Sequence, residues 1–167
     1  MHAYMQALRA PFLAGSLTPI LIGGGYAFLQ SSFDGPRFVL CLLGVGALHL
    51  GANLINDYYD ARGSDPINRR LTPFSGGSRV IQDGTVPTRG VLAMALGFFG
   101  LGLACGVTLA LTGRPLVLVI GALGFGAGWF YSASPVQLMA RGLGEIVIFF
   151  AFGPLITLGT CYALCGA

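Results

Sequence analysis

The sequence predicts an all-α fold, a polytopic membrane helical bundle of about five spans. Two observations carry this. The chain is 54% hydrophobic and only 9% charged, whereas soluble domains carry about 25% charged residues. Five stretches also lack any Asp, Glu, Lys or Arg: 10–33, 38–56, 90–113, 115–140 and 146–167. A helix crosses a bilayer with roughly 20 mostly apolar residues, and each stretch is long enough, the second only just. The lipid bilayer is therefore the first partner. The net charge of +3 is no nucleic-acid signature, and its distribution carries more information than its size.

Residues 1–10 form a short head bearing Arg9, and Pro11 suits the first turn of helix one. Gly23-Gly24-Gly25 interrupts that helix as a close-packing surface or a kink. The second span runs from about Phe38 into a polar end. Residues 61–89 are the long polar segment, with Gly63, Pro66, Pro73, Gly76, Gly77, Gly84 and Pro87 marking turns. Its interleaved Leu71, Phe74, Val80 and Ile81 favour a folded lid, with a short helix near Arg79–Asp83. Gly102/Gly106 and Gly124/Gly128 in the later spans are pairs that let helices approach closely. Cys41, Cys105, Cys161 and Cys165 lie in apolar spans without zinc-ligand spacing and read as small buried residues. Residues 57–89 hold nine of the fifteen charges. The positive-inside rule places this loop and the N-terminus in the cytoplasm, for a protein of the bacterial inner (plasma) membrane.

The polar end of the second span is the most informative segment. Asn53, Asp57 and Asp60 recur at i, i+4 and i+7 and share one side of a helix, with Asn56 beside them one turn from Asp60. Such groups at a membrane boundary cost free energy unless something binds them. Hard oxygen donors a turn apart suit Mg²⁺, which takes one or two carboxylates and completes its shell with water and substrate phosphate. Capping the helix or pairing with loop arginines is the bland alternative. Asp65 belongs either to this site or to a Ser-Asp-Pro turn.

Arg79 follows Ser75-Gly76-Gly77-Ser78, small residues that let backbone N–H groups approach an anion beside a bidentate arginine. Arg69 and Arg70 read as membrane-surface anchors. Tyr131, Arg141 and Glu145 gather at the junction of the fourth and fifth spans, where Glu145 also suits a helix N-terminus. His49, one turn before Asn53, reads as packed or hydrogen-bonded. Tyr58 and Tyr59 suit an interfacial belt.

Asn53-Leu-Ile-Asn-Asp-Tyr-Tyr-Asp60 with Gly63-Ser-Asp65 resembles the first aspartate-rich motif of the UbiA superfamily of membrane prenyltransferases. Tyr131-Ser-Ala-Ser-Pro135, Arg141-Gly-Leu-Gly-Glu145 and Phe152-Gly-Pro154 extend the resemblance, most closely to the menaquinone branch, the 1,4-dihydroxy-2-naphthoate polyprenyltransferases. It implies about nine spans around a central cavity. There two aspartate-rich motifs hold the pyrophosphate of an isoprenoid donor through Mg²⁺, and an aromatic acceptor is prenylated. Carried over, Asn53, Asp57 and Asp60 are catalytic and metal-binding. Asn56, Asp65, Arg79, Tyr131, Arg141 and Glu145 fall on the substrate-binding side. Asp65, His49 and Glu145 are weak candidates for a base. The second aspartate-rich motif has no counterpart in 61–167. Residues 1–167 are thus expected to be a single membrane domain, the N-terminal portion of such an enzyme and inactive alone. Two rivals stay open at this point: another acceptor (4-hydroxybenzoate, homogentisate, or a haem or chlorophyll precursor), and a membrane transporter or structural subunit.

Overall fold

A computed structural model describes residues 2–63 and 77–166, and the described residues are helices joined by turns, without a strand. Helix α1 (His2–Leu8) passes through Arg9 and a 3₁₀ turn (Ala10–Leu13) into α2 (Ala14–Leu29). The N-terminal head is therefore helical and continuous with the first span. Pro11 opens the 3₁₀ turn, where its missing N–H leaves no bond unmade. Helix α3 (Gly35–Asp60) starts at Asp34, whose carboxylate accepts the Arg37 N–H at 2.9 Å. Its 26 residues extend about 39 Å. That exceeds the roughly 30 Å hydrocarbon thickness and leaves the acidic turns at one end. Helices α4 (Thr88–Leu111) and α5 (Leu116–Phe130) follow, then α6 (Gly144–Phe150), a π turn (Ala151–Leu155) and α7 (Ile156–Cys165).

Among the described residues four helices are long and apolar enough to cross a membrane: Ala3–Leu29, Gly35–Asp60, Thr88–Leu111 and Gly144–Cys165. The fifth, α5, has 15 residues. The apolar stretch 115–140 is thus not helical throughout. Ser132, Ser134 and Pro135 turn the chain after Phe130, because proline lacks the N–H a helix needs and serine competes for backbone groups.

Helices α3 and α4 form the central pair, set close by glycine. A methyl group at Gly51 would lie 2.8 Å from the Phe99 ring, and one at Gly102 2.9 Å from Leu48. Gly128 of α5 meets Ala52 in the same way, at 2.8 Å. Gly106 and Gly124 pack less tightly, with Leu118 and Leu155 at 3.6 and 3.7 Å. Helix α2 lies on α7, where Gly23 faces Thr160 and the Thr157 carbonyl, and Gly24 faces Phe38 of α3; these two glycines serve close packing, whereas Gly25 meets nothing within 4 Å. Leu21, Leu29, Leu103, Leu123 and Phe149 point outward, as lipid-facing positions should. Four cysteines are free, Cys41 and Cys105 buried.

Buried side chains form one cluster at each end of α3. Near the acidic end, Leu54 and Ile55 pack with Val91, Ala95 and Phe99 of α4 and with Val80 and Val86 of the loop. The loop after Gly77 is therefore folded onto the bundle, as a lid would be; Leu71 and Phe74 lie outside the described residues. The short helix expected near Arg79–Asp83 is a single turn. Asp83 N–H reaches Arg79 O at 2.9 Å, Thr85 N–H reaches Val80 O at 3.0 Å, and Gly84 at φ +66° ends it.

Candidate active site

The last two turns of α3 carry Asn53, Asn56, Asp57 and Asp60, and the fold divides them into two i, i+4 pairs with different neighbours. Asn53 and Asp57 face the N-terminal segment. The Asn53 side-chain amide donates to Leu8 O at 3.1 Å, and the Asn53 backbone carbonyl accepts Arg9 Nη2 at 2.9 Å. Asp57 is 3% exposed. One carboxylate oxygen lies 3.1 Å from Arg9 Nη2 and 3.2 Å from the Ser78 backbone nitrogen, and the other accepts the Ser78 hydroxyl. A carboxylate this buried requires such partners, since desolvation without them costs several kcal/mol.

Asn56 and Asp60 form the second pair. The Asn56 amide donates to Asp60 Oδ2 at 2.8 Å and to the Ser132 hydroxyl, which itself lies 3.5 Å from Asp60 Oδ2. Asn56 Oδ1 accepts Arg9 Nη2 at 2.8 Å. Ser132 arrives from the turn that ends α5. Asp60 is only half-buried, so its carboxylate stays within reach of a ligand.

Of the remaining candidates, Arg79 is half-buried beside this end and holds φ +66°. Tyr131, immediately before Ser132, has its phenol pushed up by burial, then by the charges of Asp60 and Glu145, partly offset by Arg9. It stays protonated at neutral pH and can donate. Glu145 is exposed in the first turn of α6. Arg141 is not brought to the acidic pairs. It curls onto its own turn, donating to Val136 O at 2.6 Å and Pro135 O at 3.2 Å. Asp65 lies outside the described residues. His49 is packed: its Nδ1 is 2.6 Å from the Ser16 hydroxyl, and its ring meets the edge of Phe152 at 5.0 Å between centroids.

Arg9, Ser78 and Ser132 bind the acidic end directly and were not candidates on sequence. Arg9 offered a signal as the one charge before Asp34, and Ser78 lay in the small-residue run whose N–H groups can approach an anion.

Among the described residues no three His, Cys, Asp or Glu converge on a metal position. The half-buried Asp60 carboxylate, beside the Ser132 hydroxyl, fits a hard cation that takes one carboxylate and fills its shell with water and phosphate; Asn56 Oδ1 is already engaged by Arg9.

Residues 16–167 match the profile of the UbiA prenyltransferase family. The chain belongs to this family. It is 30% identical over 160 residues to the 1,4-dihydroxy-2-naphthoate octaprenyltransferase of Mycobacterium tuberculosis, covering 95% of this chain and 53% of that protein. The Bacillus subtilis protein of the same name is 25% identical, with 92% and 48% covered. Human UbiA prenyltransferase domain-containing protein 1 is 26% identical, with 92% and 44% covered. The chain spans about half the length of the curated relatives it matches. Its four long apolar helices accord with that membership.

Proposed function

We propose that the acidic end of α3 binds the pyrophosphate of a polyprenyl donor through Mg²⁺. The chain would then supply the donor-binding part of an enzyme that prenylates 1,4-dihydroxy-2-naphthoate on the way to menaquinone. The observation that carries this is the second pair: Asp60 and Asn56, joined to Ser132 from a separate helix end, reachable, and next to the loop bearing Arg79. The names of the mycobacterial and Bacillus relatives support the acceptor. The arginines at 57–89 support a cytoplasmic location for this end, and the bacterial relatives support a bacterial plasma membrane.

In this reading Asp60 holds the cation, Asn56 orients its carboxylate, and Asn53 and Asp57 lie on the adjoining strip of the motif. Bound Mg²⁺ supplies charge neutralisation for the leaving pyrophosphate. Arg79 grips phosphate oxygens through two parallel N–H donors, which strengthen as charge develops on them. The allylic carbon becomes cation-like as its C–O bond breaks and pyrophosphate departs; the electron-rich ring of the acceptor then forms the new C–C bond and regains its aromaticity with loss of its carboxylate as CO₂. Water must be kept away meanwhile, and the aromatic wall of Tyr59, Phe99, Phe125 and Trp129 serves that end.

An apolar cavity of about 430 Å³ between α3, α4, α5 and α7 suits the prenyl tail. Its nearer end is at Leu48 and Phe99. Leu48 precedes Asn56 by eight residues, about 12 Å along the helix. Gly121 lines the cavity, and a Cβ built there meets nothing within 4 Å. Gly121→Phe is therefore expected to fold normally. It should lower turnover of a long polyprenyl pyrophosphate roughly tenfold relative to dimethylallyl pyrophosphate, about 1.4 kcal/mol. An equal effect on both donors places the tail elsewhere.

Titration of the detergent-solubilised chain with inorganic pyrophosphate, with and without Mg²⁺, tests the site. Mg²⁺-dependent binding is expected, and its absence overturns the reading. Prenyl transfer to dihydroxynaphthoate and to 4-hydroxybenzoate, measured in an enzyme joining this chain to a second aspartate-rich motif, decides the acceptor. In that enzyme Arg79→Ala should raise the donor KM or lower kcat, and Arg79→Lys should rescue only in part, because lysine lacks the bidentate fork. Unchanged kinetics would return Arg79 to an ordinary loop position.

A further inference from the structure

Every polar group of Ser78 is committed. Its N–H and hydroxyl donate to Asp57, and its carbonyl accepts the Gln6 amide at 2.9 Å. Gln6 belongs to α1, which Arg9 directly follows, and Arg9 returns to Asp57 at 3.1 Å. The contacts close a ring: Gln6, Ser78, Asp57, Arg9 and back to α1. Arg9 reaches these acceptors from a left-handed backbone, φ 49° and ψ 44°, which costs a non-glycine residue about 1 kcal/mol. One Arg9 nitrogen, Nη2, meets Asp57, the Asn56 carbonyl oxygen and the Asn53 carbonyl at 3.1, 2.8 and 2.9 Å. A carboxylate has about four lone-pair positions. Arg9 and Ser78 occupy three on Asp57, which leaves it little capacity for a cation. Asp60 is the half-buried carboxylate.

We propose that Asp57 is the hub of a clamp, closed by Arg9, Ser78 and Gln6, that seats the loop bearing Arg79 over the acidic end of α3. Asp57 and Arg9 serve as positioning residues and do not touch pyrophosphate or its cation. Arg79 directly follows the clamped Ser78, so the clamp fixes where its backbone starts. That Arg79 then meets pyrophosphate rests on the preceding reading; the clamp does not.

Hydrogen exchange followed by mass spectrometry on the ligand-free chain in nanodiscs tests the clamp. Arg9→Ala and Ser78→Ala should each speed exchange across residues 77–84 roughly tenfold, and exposed Gln6→Ala several-fold, while α4 stays protected. Arg9→Lys should restore part of the protection, because its ammonium keeps the charge and three donors but sits on a shorter stem than the Nη2 that meets all three acceptors. If Arg9→Ala fails to fold, Ser78→Ala and Gln6→Ala decide. Unchanged exchange across 77–84 in both overturns the clamp. A double-mutant cycle then separates positioning from ligation, read as the affinity for inorganic pyrophosphate with Mg²⁺. Asp57→Asn and Ser78→Ala should be strongly non-additive if both act through the loop. Additive losses would make Asp57 a ligand in its own right and overturn its role as a positioning residue. A wild-type chain that binds no pyrophosphate counts against the preceding reading alone, and the exchange data then decide the clamp.

Discussion

Asp60→Ala is expected to abolish the Mg²⁺-dependent affinity of the chain for pyrophosphate, by about 100-fold or more, equivalent to about 2.7 kcal/mol. In an enzyme carrying both aspartate-rich motifs the same change should lower kcat by about 10³-fold, since it weakens charge neutralisation where the leaving group departs. Asp60 is half-buried and shares its Oδ2 with Asn56 and Ser132. Melting measured alongside distinguishes a lost ligand from a lost structure. Near-normal prenylation by Asp60→Ala would sink the metal assignment.

Asp57→Ala should act differently, on stability first. It strips a buried cation of its partner, leaving Arg9 with 18% side-chain exposure and no carboxylate opposite. Breaking a buried pair from one side costs about 3 kcal/mol or more. Detergent melts should show this as a marked fall in Tm, together with lost turnover. Arg9→Ala combined with Asp57→Ala should be less damaging than the two single effects added, because no unpaired charge remains. A wild-type Tm for Asp57→Ala would mean that the pair is solvated and worth little, as exposed ion pairs are.

The bundle was legible because a membrane writes its thickness into the sequence: each span is a run without charge, and charges collect between the runs. The end of α5 was harder, since Ser132-Ala-Ser134-Pro135 interrupts the helix without interrupting the apolar composition. The acidic end of α3 was legible from spacing alone. Its division into two pairs was not. It depends on which neighbours arrive, and those come from far along the chain: Arg9 lies 44 residues from Asn53, and Ser132 lies 76 from Asn56. Helical spacing puts residues on a side of a cylinder but cannot say which part of that side is covered.

The π turn at Ala151–Leu155 has a consequence for the last span. Before it, α6 buries little beyond Gly144; after it, α7 buries Thr160, Ala163 and Leu164. A π turn is a one-residue insertion in helical winding, and one residue is worth about 100° of rotation. The insertion turns the second half of the span so that Thr160 meets Gly23 and Gly159 meets Ile120. Shortening the segment by one residue at Gly153, where an added Cβ would meet open space, would leave composition and hydropathy almost unchanged. It would nevertheless swing exposed Leu158 out of lipid and Thr160 off its glycine seat.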